Sequence, residues 1–381
     1  VATVAEIIKK TEAYLCQDCG KCSSVCPISR LESGYSPRRI ITNSLKDTDK
    51  KILSDNELWS CLTCARCLSV CPQAIDYMEL TKGFRTAAQT KGEEPICSHS
   101  GALQTIMRIM KTPALEQDRL GWVPKTAKVK SQGEVLLFVG CAPYFDSYFA
   151  DMDVHTLDAA KSSIALLNQV GIQPILLPNE RCCGHDLLWG GDTENFLSLA
   201  RLNLEAIKKS GAQKVLFTCA ECFRTFKVDM EEHFGPLGFD VEHISTFLHP
   251  YVKEGKLQFK TSKQKVTYQD PCRLGRHLGI YDEPRELITA VPKTELVELD
   301  GNREYAVCCG TNAWLNCDMY SKRMQVQRIQ NAIAKGAKSL TVACPKCEIH
   351  FKCTINEKAE TLKKKLDVQY FTNLLSKNVK S

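Results

Sequence analysis

Glu180-Arg181-Cys182-Cys183-Gly184-His185 and Ala306-Val307-Cys308-Cys309-Gly310-Thr311 carry one short motif twice in a single chain of 381 residues. Each adjacent cysteine pair stands in a longer frame, with one cysteine upstream and a C-x2-C downstream. The first frame is Cys141, Cys182, Cys183, Cys219 and Cys222; the second is Cys272, Cys308, Cys309, Cys344 and Cys347. The chain around them repeats as well. Apolar and β-branched runs predict strands at 135–139, 172–177 and 214–218, with helices near 155–170 and 193–209 between them. The second copy predicts strands at 266–269, 295–299 and 339–342, with helices near 283–290 and 318–335. Alternation of strand and helix implies parallel sheets. Ligands of parallel sheets gather at the carboxyl ends of the strands, where these cysteines fall. Two α/β modules follow, over 134–260 and 261–381, each expected to bring five cysteines to one sheet edge.

Upstream lie two further sets, Cys16, Cys19, Cys22, Cys26-Pro27 and Cys61, Cys64, Cys67, Cys71-Pro72, both spaced C-x2-C-x2-C-x3-C-P. A four-iron cube takes one thiolate per iron. In this spacing three sulfurs share one tight loop while the fourth serves the other cluster. Cys16, Cys19, Cys22 and Cys71 are therefore assigned to one cubane [4Fe–4S] cluster, and Cys61, Cys64, Cys67 and Cys26 to a second. Structural zinc would use two C-x2-C pairs per ion and has no need of the third cysteine or the proline. Helical spacing of Ile40, Ile41, Leu45, Ile52 and Leu53, and of residues 78–92, predicts a helical ferredoxin-like domain over 1–110. Pro113, Gly121, Pro124 and Gly133 mark 111–133 as a linker. The fold class expected is α+β multidomain: a helical two-cluster domain followed by two repeated α/β modules.

Composition narrows the function classes. Hydrophobic residues make up 44% and charged residues 25%, an ordinary globular balance, but 21 cysteines do not. Thiols in such numbers, in a chain this long, point to metal and a reducing, cytoplasmic compartment rather than a disulfide scaffold. A net charge of +6 is too mild for a nucleic-acid surface. Lysines 363–365 read as a solvated helix face. Val1-Ala2-Thr3-Val4-Ala5-Glu6 does not read as a secretion signal, and no apolar run is long enough to span a bilayer. No G-x-G-x-x-G follows a strand, so neither flavin nor nicotinamide binding is expected of this chain, and electrons are expected from a partner.

Five thiolates per module exceed what a cube needs. The surplus fits an opened cluster with bridging sulfurs, a cube beside a spare thiol, or zinc with a spare. The surrounding residues resemble a known family. Tandem Cys-Cys-Gly modules behind two ferredoxin sets, with Tyr35-Ser36-Pro37-Arg38-Arg39-Ile40-Ile41, Leu58-Trp59-Ser60-Cys61-Leu62-Thr63-Cys64, Cys219-Ala220-Glu221-Cys222-Phe223-Arg224-Thr225 and Asp270-Pro271-Cys272-Arg273-Leu274-Gly275-Arg276, resemble the D-type catalytic subunit of heterodisulfide reductase. The resemblance implies a non-cubane [4Fe–4S] cluster on each five-cysteine set, the two facing one another across a disulfide substrate. It implies electron supply by a flavoprotein or a membrane cytochrome b, with attachment to the inner face of the membrane through that partner. The layout also resembles electron-transfer subunits of glycolate, lactate and glycerol-3-phosphate dehydrogenases and of bifurcating complexes, including aromatic-CoA reductases. Gln269 departs from the pattern, which often has histidine there.

Arg181, Arg224, Arg273, Arg276 and Lys346 lie beside the cysteines, where they could hold an anionic substrate, balance cluster charge or face solvent. His185 and His277 could pass a proton to a leaving thiolate or simply be packed. Cys97, Cys317 and Cys353 belong to no set and read as small buried residues.

Overall fold

The computed structural model describes residues 2–315, 317–358, 362 and 366–380. The lysines at 363–365 lie outside them. The chain forms two compact units, and neither is continuous in sequence. The first holds 1–109, 184–198 and 307–324; the second holds 110–183, 199–306 and 325–381.

The first unit is helical. Helices Val4–Lys10, Pro37–Ser44, Asp49–Leu53 and Tyr77–Thr90 surround the two cysteine loops. Local chemistry starts them. Thr3 and Glu6 form a capping box. Ser36 accepts from Arg39 N with Pro37 in the first turn, and Asp76 accepts from Met78 N and Glu79 N. Residues at the same offsets after Cys16 and Cys61 take left-handed conformations: Asp18 (φ 54°) and Gly20 (φ 77°), then Thr63 (φ 46°) and Ala65 (φ 64°). The two loops therefore share one backbone path. Two segments from farther along complete this unit. Helix His185–Trp189 begins directly after Gly184, and 307–324 contains the second Cys-Cys-Gly. Arg85, fully buried, binds both ends of this arrangement. It donates to the carbonyls of Leu58 (3.1 Å), Trp59 (3.0 Å), Cys61 (2.8 Å) and Trp189 (2.9 Å).

The second unit carries both sheets. Strands β1 (Val135–Phe138), β2 (Lys214–Phe217) and β3 (Asp240–His243) form a parallel sheet in the order β1-β2-β3. Strands β4 (Gln264–Tyr268), β5 (Thr294–Leu296), β6 (Ser339–Val342) and β7 (Asp367–Tyr370) form a second parallel sheet, ordered β5-β4-β6-β7. The strand expected at 172–177 is reduced to bridges at Ile175, which pairs with Leu136 and Lys130. Pro174 and Pro178 flank this point and have no N–H to extend the ladder. With Ile175 in the place of β5, the two sheets have the same order, so the sequence repeat is a structural repeat. β3 and β7 were not foreseen from sequence. They lead into helices Ile244–Lys253 and Phe371–Asn378.

The repeats pack on one another within this unit. Thr372 Oγ1 donates to Ala159 O (3.1 Å), Lys352 Nζ to Asp153 O (2.7 Å), and Tyr370 Oη to Thr218 O. The segment expected to link the domains is also engaged here. Arg119 is buried, and Lys130 N donates to Pro174 O at 3.0 Å.

Candidate metal centres

None of the 21 cysteines forms a disulfide. In the first unit they line two cavities. One is lined by Cys16, Cys19, Cys22, Cys67 and Cys71, with Arg38 and Lys21 beside them. The other is lined by Cys26, Cys61, Cys64 and Cys67, with Tyr35 and Tyr77. Around the first, Cys19 is exposed and Cys16, Cys22 and Cys71 are half-buried; around the second, Cys26, Cys61 and Cys64 are buried. Thr63 N donates to Cys61 Sγ at 3.3 Å. The Tyr35 and Tyr77 hydroxyls lie 3.1 Å apart beneath the second cavity. Burial pushes the Cys26 thiol up to about 12. A metal binding there has to displace this proton. A cavity ringed by thiols, without disulfides, fits an iron–sulfur cluster.

In the second unit, strand ends carry the module cysteines. Cys219 follows β2 and opens helix Ala220–Arg224; Cys344 follows β6 and opens helix Pro345–Glu357. Cys222 Sγ donates to Cys183 Sγ at 3.3 Å. The Gly140 backbone comes so near that an added Cβ would lie 3.0 Å from Cys222 Sγ. Cys219 and Cys344, which hold the same position in the two repeats, meet. Their sulfurs and a Glu221 carboxylate oxygen all lie within 4.8 Å of one another, and all three residues are buried. The neighbouring Cys222 and Cys344 thiols lower the Cys219 thiol, and the contact with Cys219 raises Cys344. Cys141 and Cys272 are half-buried, Cys182 and Cys347 buried. Cys308 and Cys309 are buried and belong to the first unit. Of the unassigned thiols, Cys97 and Cys353 are half-buried, and Cys317 is exposed, against the expectation of a buried residue.

A carboxylate–arginine clamp holds the first cysteine loop of each repeat. In the first, Glu180 accepts from Gly140 N (2.7 Å), Val139 N (3.2 Å) and Arg119 Nη2 (2.6 Å), and Arg119 Nη2 also donates to Gly140 O (2.6 Å). In the second, Asp270 accepts from Arg285 at 2.6 and 2.8 Å and from Arg303 N at 2.9 Å. Asn203 fixes the Cys-Cys turn, accepting from Arg181 N and donating to Cys182 O, both at 2.9 Å. Arg119, Asn203, Arg285 and Arg303 lie far from the cysteine motifs and leave no local pattern there, and nothing beside Glu180 or Asp270, each two residues before a motif cysteine, marks its partners.

The foreseen cations are placed as follows. Arg181, Arg224, Arg273 and Lys346 are buried, so solvent exposure does not describe them. Arg181 points at the carbonyls of Pro113 and Leu115 (3.3 to 3.5 Å). Arg224 pairs with Asp229 across a π-helical turn, Thr225–Met230. Arg273 lies 2.7 Å from His277 Nε2, and Arg276 donates to Ala306 O at 2.6 Å. Lys346 pairs with Glu221 at 2.7 Å. His185 is buried with Nδ1 3.0 Å from Asp186 Oδ1. Gln269 accepts from Arg328 Nε at 2.6 Å, an amide serving where the resemblance led one to expect histidine.

Comparison with known proteins agrees with this layout. Residues 12–75 match the 4Fe-4S dicluster domain family, and 135–227 and 266–352 each match the cysteine-rich domain family. The chain is 34% identical over 283 residues to the D subunit of the dihydromethanophenazine:CoB–CoM heterodisulfide reductase of Methanosarcina mazei, covering 72% of this chain and 67% of the relative. Its counterpart in Methanosarcina barkeri is 33% identical over 284 residues, with the same shares covered. The EtfAB:quinone oxidoreductase of Syntrophomonas wolfei is 29% identical over 227 residues, 56% of this chain and 30% of that one. No described helix is long and apolar enough to cross a membrane. Two thiol-lined cavities, a duplicated parallel-sheet module and these relatives lead to one assignment: the chain is a [4Fe–4S]-binding oxidoreductase that belongs to the family of heterodisulfide reductase D subunits.

Proposed function

We propose that the chain binds two cubane and two non-cubane [4Fe–4S] clusters and reduces the disulfide of two small thiols. Cys16, Cys19, Cys22 and Cys71 hold one cube, and Cys61, Cys64, Cys67 and Cys26 the other. Cys141, Cys182, Cys183, Cys219 and Cys222 hold the first non-cubane cluster; Cys272, Cys308, Cys309, Cys344 and Cys347 hold the second. The observation that supports this reading is the meeting of Cys219 and Cys344, equivalent residues of the two repeats, within 4.8 Å in one compact unit. Two sites that share such a border can act on one bond.

When bound, the two C-terminal clusters supply one electron each and an iron on which a product sulfur can rest. The S–S bond breaks, two electrons and two protons are consumed, and two thiols leave. The chain's own part is to hold the two sites rigidly. The Glu180 and Asp270 clamps fix Cys141 and Cys272 to their strand ends. Asn203 fixes the Cys-Cys turn of the first set. Electrons come from a partner, a flavoprotein or a membrane cytochrome b. The chain then works on the cytoplasmic side, reaching the membrane through that partner.

The relationship to the EtfAB:quinone oxidoreductase favours a second reading, a relay subunit of a larger flavin-containing complex. Electron paramagnetic resonance of the oxidised protein, anaerobically purified, separates the two. About 16 irons per chain are expected, four per cluster. A substrate thiol should create a signal that broadens with ³³S, and Cys183→Ser and Cys309→Ser should each abolish cleavage with no further loss in the double variant. Eight irons with zinc would remove the non-cubane clusters. A signal indifferent to every thiol tried, with only Cys309→Ser impairing electron flow, would leave the relay.

A further inference from the structure

Glu221 and Lys346 occupy one position in the duplicated module, each two residues after the first cysteine of its C-x2-C. Their side chains meet at 2.7 Å, with only 12% and 4% of their surfaces exposed. The Glu221 carboxylate also lies within 4.8 Å of the Cys219 and Cys344 sulfurs. The pair therefore spans the border between the repeats beside Cys219 and Cys344.

A pair buried this deeply is a poor source of stability, because desolvating both ions offsets most of their attraction. The best-attested use of such pairs is to specify register. Here the duplication makes register a real problem. The repeats share a strand order, so a first module could in principle pair with the first module of a second chain. Such a pairing would set Glu221 against Glu221, and two second modules would set Lys346 against Lys346. Like charges buried face to face are strongly penalised, whereas the unlike pair forms only between a first and a second module. A salt bridge also fixes distance. The two C-x2-C loops are joined at equivalent points, one on each side of the paired cysteines.

We propose that Glu221–Lys346 is a positioning pair: it selects first-with-second module pairing and sets the separation of the two C-terminal metal sites. This rests on the four-cluster reading. Neither residue is among the ten cysteines proposed as ligands, and the pair acts through Cys219 and Cys344.

The test compares full-length wild type, Glu221→Lys, Lys346→Glu and the double exchange, all purified anaerobically with iron counted. Glu221→Lys and Lys346→Glu should keep the cubane signals. In both, the magnetic coupling between the two C-terminal clusters, read as enhanced spin relaxation of one by the other, should fall at least several-fold. The double exchange restores an unlike pair and should recover the coupling. Coupling unchanged in the single variants would overturn the proposal. So would a double exchange that behaves like Lys346→Glu alone, since Lys346 would then act by itself, for instance on a substrate anion. A wild type with about eight irons per chain would instead overturn the four-cluster reading. The pairing role would then be judged by a double-mutant cycle on thermal unfolding, in which additive single effects overturn it and mutual rescue upholds it.

Discussion

Gly140 shows how tightly single positions are constrained around the cysteines. Its φ of +65° is unfavourable for any side chain, and an added Cβ would press on Cys222 Sγ. Gly184, at φ +80°, is closed off in the same way by Phe196, 2.8 Å from an added Cβ. The glycine of the first Cys-Cys-Gly is thus a requirement of backbone and packing together. Gly140→Ala should destabilise the protein by about 1–2 kcal/mol from left-handed strain alone. It should also alter the spectrum of the first C-terminal site while leaving the cubane signals as they were. Electron paramagnetic resonance with thermal unfolding checks both, and an unaltered spectrum would mean that Cys222 has room to give. The cysteines themselves were legible because ligand spacing is local. Arg119 and Asn203 were not, because they reach the site from distant points in the chain, and Glu180, though two residues before Cys182, acts on the Val139–Gly140 backbone about 40 residues upstream.

Between elements, Arg85 is the clearest example. It lies on helix Tyr77–Thr90 and ties the carbonyls of the Leu58–Cys61 loop to Trp189, at the end of the helix that starts after Gly184. Five guanidinium N–H groups in a planar fork suit several carbonyls at once; an ammonium does not. Arg85→Met leaves buried carbonyls without their donor and should cost about 3–5 kcal/mol. The Cys61–Cys67 loop should loosen and, on the four-cluster reading, about four irons per chain should be lost. Iron analysis and the unfolding midpoint check this, and full iron with an unchanged midpoint would show the loop to be held by its cluster. In sequence Arg85 is one arginine in an amphipathic helix, and nothing nearby marks it. Periodicity anticipated the helices that lie between the expected strands in each module. It did not mark β3 and β7, short strands with partly polar sequences, or helices Ile244–Lys253, Pro345–Glu357 and Phe371–Asn378, and the 172–177 segment is cut short by its prolines.

For the molecule as a whole, buried His243 makes stability depend on pH. It is completely buried at the end of β3, where its Nδ1 accepts from Ser245 N at 3.2 Å. Burial drives its pKa down to about 3, from an ordinary value of 6.5. The folded protein therefore holds His243 neutral, while the unfolded chain takes up a proton below about pH 6.5. This contribution is complete above that pH and is lost as pH falls toward 3. At pH 5.5 the loss is on the order of 1 kcal/mol. His243→Asn should be less stable at neutral pH but should lose correspondingly less between pH 7.5 and 5.5 than the wild type. Parallel losses in thermal scans would assign the acid sensitivity to other groups. Four cysteine sets, their order and the repeat of one module were already written in the chain, because metal spacing and strand–helix alternation are short-range patterns. The composition of the compact units was not. Residues 184–198 and 307–324 join the N-terminal helices rather than their own modules, and Glu221 finds Lys346 across a duplication. Burial and pairing of this kind depend on which surfaces meet when the whole chain packs, and no local spacing records that.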